Sequence, residues 1–197
     1  MKTTIEFTAL DARAILDSRG FPTIEVRGTL EDGTRLTAAA PAGASTGAHE
    51  AVELRDGGTA FSGRGVRGAI AGIEREIAPM LLGRTWTDLG ELDRALADLD
   101  GTAGYRRLGG NAVVAVSMLA SRAFAHAAGL PLHAWIAARA EASERLPVPH
   151  FNVLNGGAHA ANALDFQEFM IAPIGAADEA EAVRAGAEIY HPLRERV

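Results

Sequence analysis

Polar and apolar positions change their period along this chain, and each change predicts a different element. From Thr3 to Thr8 and from Thr23 to Leu30, β-branched or apolar residues alternate with polar ones, as in half-buried strands. Glu31-Asp32-Gly33 supplies a turn before a third run, Arg35 to Ala40. A three-stranded meander is expected. From Gly65 the spacing becomes helical, with Val66, Ile70, Ile73, Ile77, Met80 and Leu81 on one face and Gly83 as the stop. A second helix, capped by Thr87 or Asp88, carries Leu89, Leu92, Leu96 and Leu99 and ends at Asp100-Gly101. A third, Asn111 to Ala128, is apolar nearly all round and is expected to be the most buried, with Gly129 closing it. Another follows from about Pro131 to Ala142.

Leu146-Pro147-Val148-Pro149 reads as a linker. Beyond it lie an apolar run at Phe151 to Leu154, a glycine-rich loop, a second run at Phe166 to Ala172, and a helical pattern from Asp178 to about Arg196. The expected fold is an α+β domain over residues 1–142, a three-stranded meander followed by helices. Residues 143–197 then supply the strand, strand and helix that open a larger α/β unit.

Composition narrows the function classes. A 197-residue chain that is 48% hydrophobic can bury a sizeable core. With 19 basic and 25 acidic residues, a net charge of -6 and no basic stripe, nucleic acid is not an expected partner. The absence of cysteine excludes disulfides and thiolate metal ligands and fits a reducing, cytoplasmic compartment. The N-terminus lacks an apolar signal core and no apolar stretch reaches the length of a span, so no membrane is expected.

Two loops gather chemistry. Pro41-Ala42-Gly43-Ala44-Ser45-Thr46-Gly47 places two hydroxyls on a glycine-bracketed segment that can move and approach a ligand with its backbone. The alternative is a strand-to-helix turn in which Ser45 or Thr46 caps a helix in HEAVELRD. His49, Glu50, Glu53, Arg55 and Asp56 would then form a solvated face of that short helix.

The second loop, Asn155 to Asn162, holds Gly156, Gly157 and His159. A histidine there can carry a proton or touch a phosphate under a lid, or be an ordinary solvated residue. Glu168 sits in the apolar run that follows, where a carboxylate is buried unless it pairs or faces a polar cavity. That makes it a candidate acid or polar anchor. Because side chains alternate along a strand, Gln167 and Glu168 are expected on opposite faces, so at most one enters the site unless the strand ends or bulges there, and Glu168 is the expected one. His126 is expected to be a satisfied or interfacial residue, Trp86 and Trp135 to be packing residues, and His133, His150 and His191 show no metal-ligand spacing.

The segments ARAILDSRGFPTIEV, PAGASTGAHEAVELRDGG, FSGRGV, LGGNAVVAVS, LPVPHFNVLNGGAHAANALDFQEFMIAPIGA and EIYH resemble enolase segments in the same order, across essentially the whole chain. The resemblance implies an enolase-type α/β (TIM-like) barrel after the first domain. It also implies the dehydration of 2-phosphoglycerate to phosphoenolpyruvate by a cytoplasmic homodimer or higher homo-oligomer with two Mg2+ ions per site. On it, Ser45 is similar to the loop ligand of the substrate-associated magnesium. His159 is similar to the lid histidine near the phosphate, Glu168 to the carboxylate that holds and protonates the leaving 3-hydroxyl, and Gln167 to a substrate contact. Ala42, Phe21, Gly110 and Pro149-His150-Phe151 depart from the common pattern.

A barrel of this architecture needs roughly 250 residues, of which about 50 follow the linker. The remaining metal ligands, the lysine base and the principal acid glutamate have no candidate here, so the chain alone is expected to be inactive. Phe151, Val153, Phe169 and Ile171 are then expected to lack apolar partners. The rival readings are a short enolase-like binding or dimerisation module and a phosphonate-pathway paralogue.

Overall fold

The first three strands are β1 (Ile5–Leu16), β2 (Pro22–Leu30) and β3 (Arg35–Ala39), paired antiparallel with Ala12 opposite Val26 and Val26 opposite Ala38. The computed structural model describes residues 3–43 and 47–195, and the backbone alone at Ala158. Within it β1 runs on past Thr8 to Leu16, through ALDARAIL, which shows no strand alternation of its own. Cross-strand pairing carries it: on the exposed face Arg13 Nε donates to Glu25 Oε1 at 2.7 Å and Arg27 Nε to Asp11 Oδ1 at 2.8 Å, after a bulge between Phe7 and Ala9.

The sheet gains a fourth strand, β4 (Thr85–Trp86), which pairs with β1 at Ile5 and Trp86 and gives the order β3-β2-β1-β4. Two residues are too few to show a period, so the pattern predicted three strands. The fully buried indole of Trp86 donates to the Leu81 carbonyl at 3.1 Å.

Helices cover one face of this sheet. α1 (Arg67–Gly72), a wide π turn (Ile73–Ile77) and α2 (Ala78–Leu81) follow one another without a break. α3 (Leu89–Asp100) is capped by Asp88, whose carboxylate accepts from the Glu91 N–H, and closes at left-handed Gly101. α4 (Gly110–Ala127) is the most buried helix, as its all-round apolar character predicts. It packs directly on β2. A Cβ at Gly28 would lie 2.7 Å from Phe7 Cε1 and 2.9 Å from Leu119 Cδ2, so only glycine lets the helix approach this closely. Phe7, Ile24, Val26, Ile73, Leu96 and Leu119 form the centre of the core. α5 (Leu132–Arg139) stacks Trp135 on Phe124, and His126 on α4 bonds Thr34 and Asp32 at 3.1 and 3.0 Å.

The short helix expected in HEAVELRD is absent: His49 and Glu50 lie in a turn and bend, and residues 51–56 have no regular secondary structure. Its backbone is held from outside. Val52 donates to the Gly104 carbonyl and accepts from the Gly110 N–H, both at 2.8 Å, and the Asn111 amide bonds both the N–H and the carbonyl of Leu54. Its charges are a solvated face only in part: His49 and Glu50 are exposed, while Glu53, Arg55 and Asp56 are engaged. Arg55 Nη1 donates to the carbonyls of Pro22 and Arg64 at 2.7 and 2.9 Å, while Asp56 accepts from the Arg67 and Gly68 N–H groups and so caps α1. The Gly68 N–H, outweighing an opposing effect of burial, holds the Asp56 carboxyl below its usual range.

Residues 1–142 make one compact unit and 143–197 another. In the second, β5 (Phe151–Asn155) and β6 (Glu168–Ile171) pair antiparallel, with a bulge between Asn152 and Leu154. α6 (Glu179–Arg194) begins at Asp178, which accepts from Glu181 N–H. Phe151 is not without a partner: its ring lies against Gly186 of α6, where a Cβ would come within 2.5 Å of it. Phe169 meets the Phe166 ring edge-on at 5.9 Å, and Val153 and Ile171 are half-buried. Among the described residues no single helix is long and apolar enough to cross a membrane.

Candidate functional site

The loop between β5 and β6 is folded on itself by its own polar groups. Gly156 N–H donates to the Gln167 carbonyl at 3.1 Å and Gly157 N–H to the Leu164 carbonyl at 2.7 Å. Asn162 closes the turn, donating from Nδ2 to the Asn155 carbonyl at 2.8 Å and accepting from Leu164 N–H. A Cβ at Gly156 would sit 2.5 Å from the Phe166 carbonyl oxygen, so this crossing requires glycine. The short helical turn Gly157–His159 then brings the histidine back over the start of β6.

There the imidazole of His159 is held at both nitrogens. Nδ1 lies 3.2 Å from Glu168 Oε1, and Nε2 lies 2.9 Å from the Gln167 side-chain nitrogen. One expectation changes. Gln167 and Glu168 do not serve opposite faces, because β6 begins at Glu168 and Gln167 precedes it, so the alternation of a strand does not yet apply. Glu168 takes the paired alternative of its expectation: 31% of its side chain is exposed, and it pairs with His159. An imidazole between a carboxylate and an amide can hold or pass a proton, and its outer edge can meet an anion.

Ser45 lies outside the described residues, together with Ala44 and Thr46. The root of its loop is described. Arg19 Nη2 donates to the carbonyls of Ala42 and Gly43 at 2.9 and 3.0 Å and to Asp17 Oδ2 at 3.2 Å. Pattern reading missed Arg19; the signal it offered was Asp17-Ser18-Arg19-Gly20, whose aspartate accepts from the Arg19 and Phe21 N–H groups as a turn former. A cavity of about 230 Å³ opens beside that root, lined in part by Pro41, Gly43, Glu50, Glu53 and Asn111.

Magnesium asks for about six oxygen ligands, carboxylates prominent among them. Among the described residues no three His, Asp or Glu side chains converge to hold an ion, and Glu53 Oε2 is already engaged by Arg55 at 2.7 Å. The described side chains therefore do not make a magnesium site by themselves.

An α+β unit followed by a second unit of antiparallel hairpin and helix, with a polar cluster on the hairpin loop, defines a two-unit α/β protein. The family model for the enolase N-terminal domain matches residues 7–136, and that for the enolase C-terminal TIM barrel domain matches residues 143–197. The chain belongs to the enolase family.

Proposed function

We propose that this chain is part of an enolase that interconverts 2-phosphoglycerate and phosphoenolpyruvate. The observation that supports the reading most directly is His159 bridged between Glu168 and Gln167, on a glycine loop inside the segment that the barrel model matches. Expelling hydroxide from C3 is slow unless the oxygen receives a proton as it leaves. In this reading Glu168 holds the 3-hydroxyl and delivers that proton. His159 lies behind it as proton reserve and turns its outer edge to the phosphoryl group, and Gln167 steadies the ring or the substrate. The same reading brings two magnesium ions to the complete site, with Ser45 as a ligand of one, a homodimer or larger homo-oligomer, and a cytoplasmic setting. Family membership is what supports these; the steps assigned to Glu168, His159 and Gln167 are proton transfer and positioning alone.

The test joins residues 1–197 to the remaining barrel residues of an active enolase and follows the ultraviolet absorbance of phosphoenolpyruvate with magnesium present. Residues 1–197 alone are expected to give no product, and the joined chain to turn over. Glu168→Gln in it is expected to lower kcat about 100-fold or more, the usual scale for a general acid. A folded, magnesium-loaded joined chain with no turnover would sink the reading.

A further inference from the structure

The contacts of His159 fix where its proton sits, and that position is wrong for an anion. A neutral imidazole has one N–H donor and one bare acceptor nitrogen. Glu168 Oε1, a carboxylate oxygen, stands 3.2 Å from Nδ1 and can only accept, so the proton of the neutral ring belongs on Nδ1. Nε2 is then bare, which agrees with the Gln167 amide nitrogen placed 2.9 Å from it as a donor. Glu168 decides the assignment, since reversing the ring proton would set two lone pairs against each other there, whereas the Gln167 amide can turn either its nitrogen or its oxygen to Nε2. Glu168 on β6 is the charged side chain in contact with the ring; the other contact, Gln167, is neutral.

The oxygens of a fully ionised phosphate monoester are acceptors as well and find no bond at a bare nitrogen. We propose that the free protein holds His159 as its Nδ1–H tautomer with Gln167 closing Nε2, and that a phosphorylated ligand displaces Gln167 only as Nε2 takes a proton from solvent. Phosphate recognition at this loop is thus coupled to uptake of one proton, and Glu168 and Gln167 are positioning residues for His159. Only the ligand class rests on the reading given under Proposed function. The resulting imidazolium donates to Glu168 from Nδ1 and to the phosphate from Nε2, so no charged group is left facing a like charge. The released Gln167 amide is free to turn its oxygen or its nitrogen to the ligand.

Two-bond proton–nitrogen NMR spectra of the His159 ring, recorded on the full chain at mildly alkaline pH, test this. The free chain is expected to carry the proton on Nδ1. Adding methyl phosphate, a monoester that carries no P–OH at this pH, is expected to protonate both nitrogens, with about one proton taken up per ligand bound, read as the acid needed to hold the pH constant. Glu168→Gln, whose amide can also donate, is expected to let the Nε2–H form appear, whereas Gln167→Ala is expected to keep Nδ1–H and bind methyl phosphate more tightly. An Nε2–H ring in the free chain, or a ring unchanged at the highest methyl phosphate concentration, would overturn the inference. The free-ring measurement needs no turnover. An active joined enzyme with an Nε2–H ring therefore refutes this inference alone, and an inactive one with the Nδ1–H ring and the phosphate response refutes the dehydratase reading alone.

Discussion

The guanidinium of Arg19 donates to the Ala42 carbonyl at 2.9 Å, and the same nitrogen reaches the carbonyl of Gly43. A turn between β1 and β2 thereby grips the root of the segment that carries Ser45. Arg19→Ala is expected to speed proteolytic nicking between Gly43 and Gly47 several-fold while changing global stability by about 1 kcal/mol or less, since the bonds are partly exposed. Limited proteolysis beside urea unfolding checks this. Equal nicking rates would show that the grip does not restrain the loop.

Gly28 is expected to tolerate no methyl. The added Cβ would meet the Phe7 ring and Leu119, both at the centre of the core. Gly28→Ala should cost about 1–3 kcal/mol, as overpacking does, and Phe7→Leu in the same chain should return part of it. Thermal melts of the single and double variants decide the matter; a neutral Gly28→Ala would refute the close approach.

Asp100, buried at the end of α3, accepts from the N–H groups of Leu108 and Thr102 at 2.7 and 3.0 Å. Burial alone would push its carboxyl up, but the Leu108 and Thr102 donors, with a smaller contribution from the Arg107 N–H, outweigh it and leave the group below its usual range. A depressed folded value contributes stability above the ordinary carboxylate range and loses it as pH falls through the lowered value. Asp100→Ala, which strands the Leu108 N–H, should cost about 1–3 kcal/mol near neutral pH. Its deficit should shrink in acid. Urea unfolding across pH reads both effects.

On the exposed side, the His126 ring, together with the Thr34 backbone and hydroxyl, holds the Asp32 carboxyl down to about 2 from an ordinary 3.8. The stability this contributes is complete above 3.8 and is lost as pH falls toward 2. Carbon-detected NMR titration should place the Asp32 midpoint near the lower figure, and His126→Ala should move it upward. No movement would mean that His126 is not the main cause.

Elements whose period was set by their own burial were legible in the sequence. β2, α3 and α4 lie within a residue or two of their apolar patterns, because each turns one face, or nearly all of itself, to the core. Elements held by other parts of the chain were not. ALDARAIL became strand through its pairing with β2, ion pairs included, and HEAVELRD stayed non-helical because Gly104, Gly110 and Asn111, far away in sequence, give the backbone of Val52 and Leu54 its partners. At the candidate site the residue types were visible in the sequence. Their meeting was not, since His159 reaches Gln167 and Glu168 only through a loop whose folding depends on the Gly156 crossing.

The π turn at Ile73–Ile77 has a consequence for how this chain can change length. It holds one residue more than a regular turn while Ile73 and Ile77 both stay fully buried, so the surplus is stored locally instead of rotating α2 away from the core. Removing exposed Arg75 would let the turn tighten with both flanks still in phase. The same deletion in the middle of α4 would swing every following side chain by about 100°. That segment is the slack in an otherwise taut domain, the place where the gene can lose a codon and the fold can absorb it.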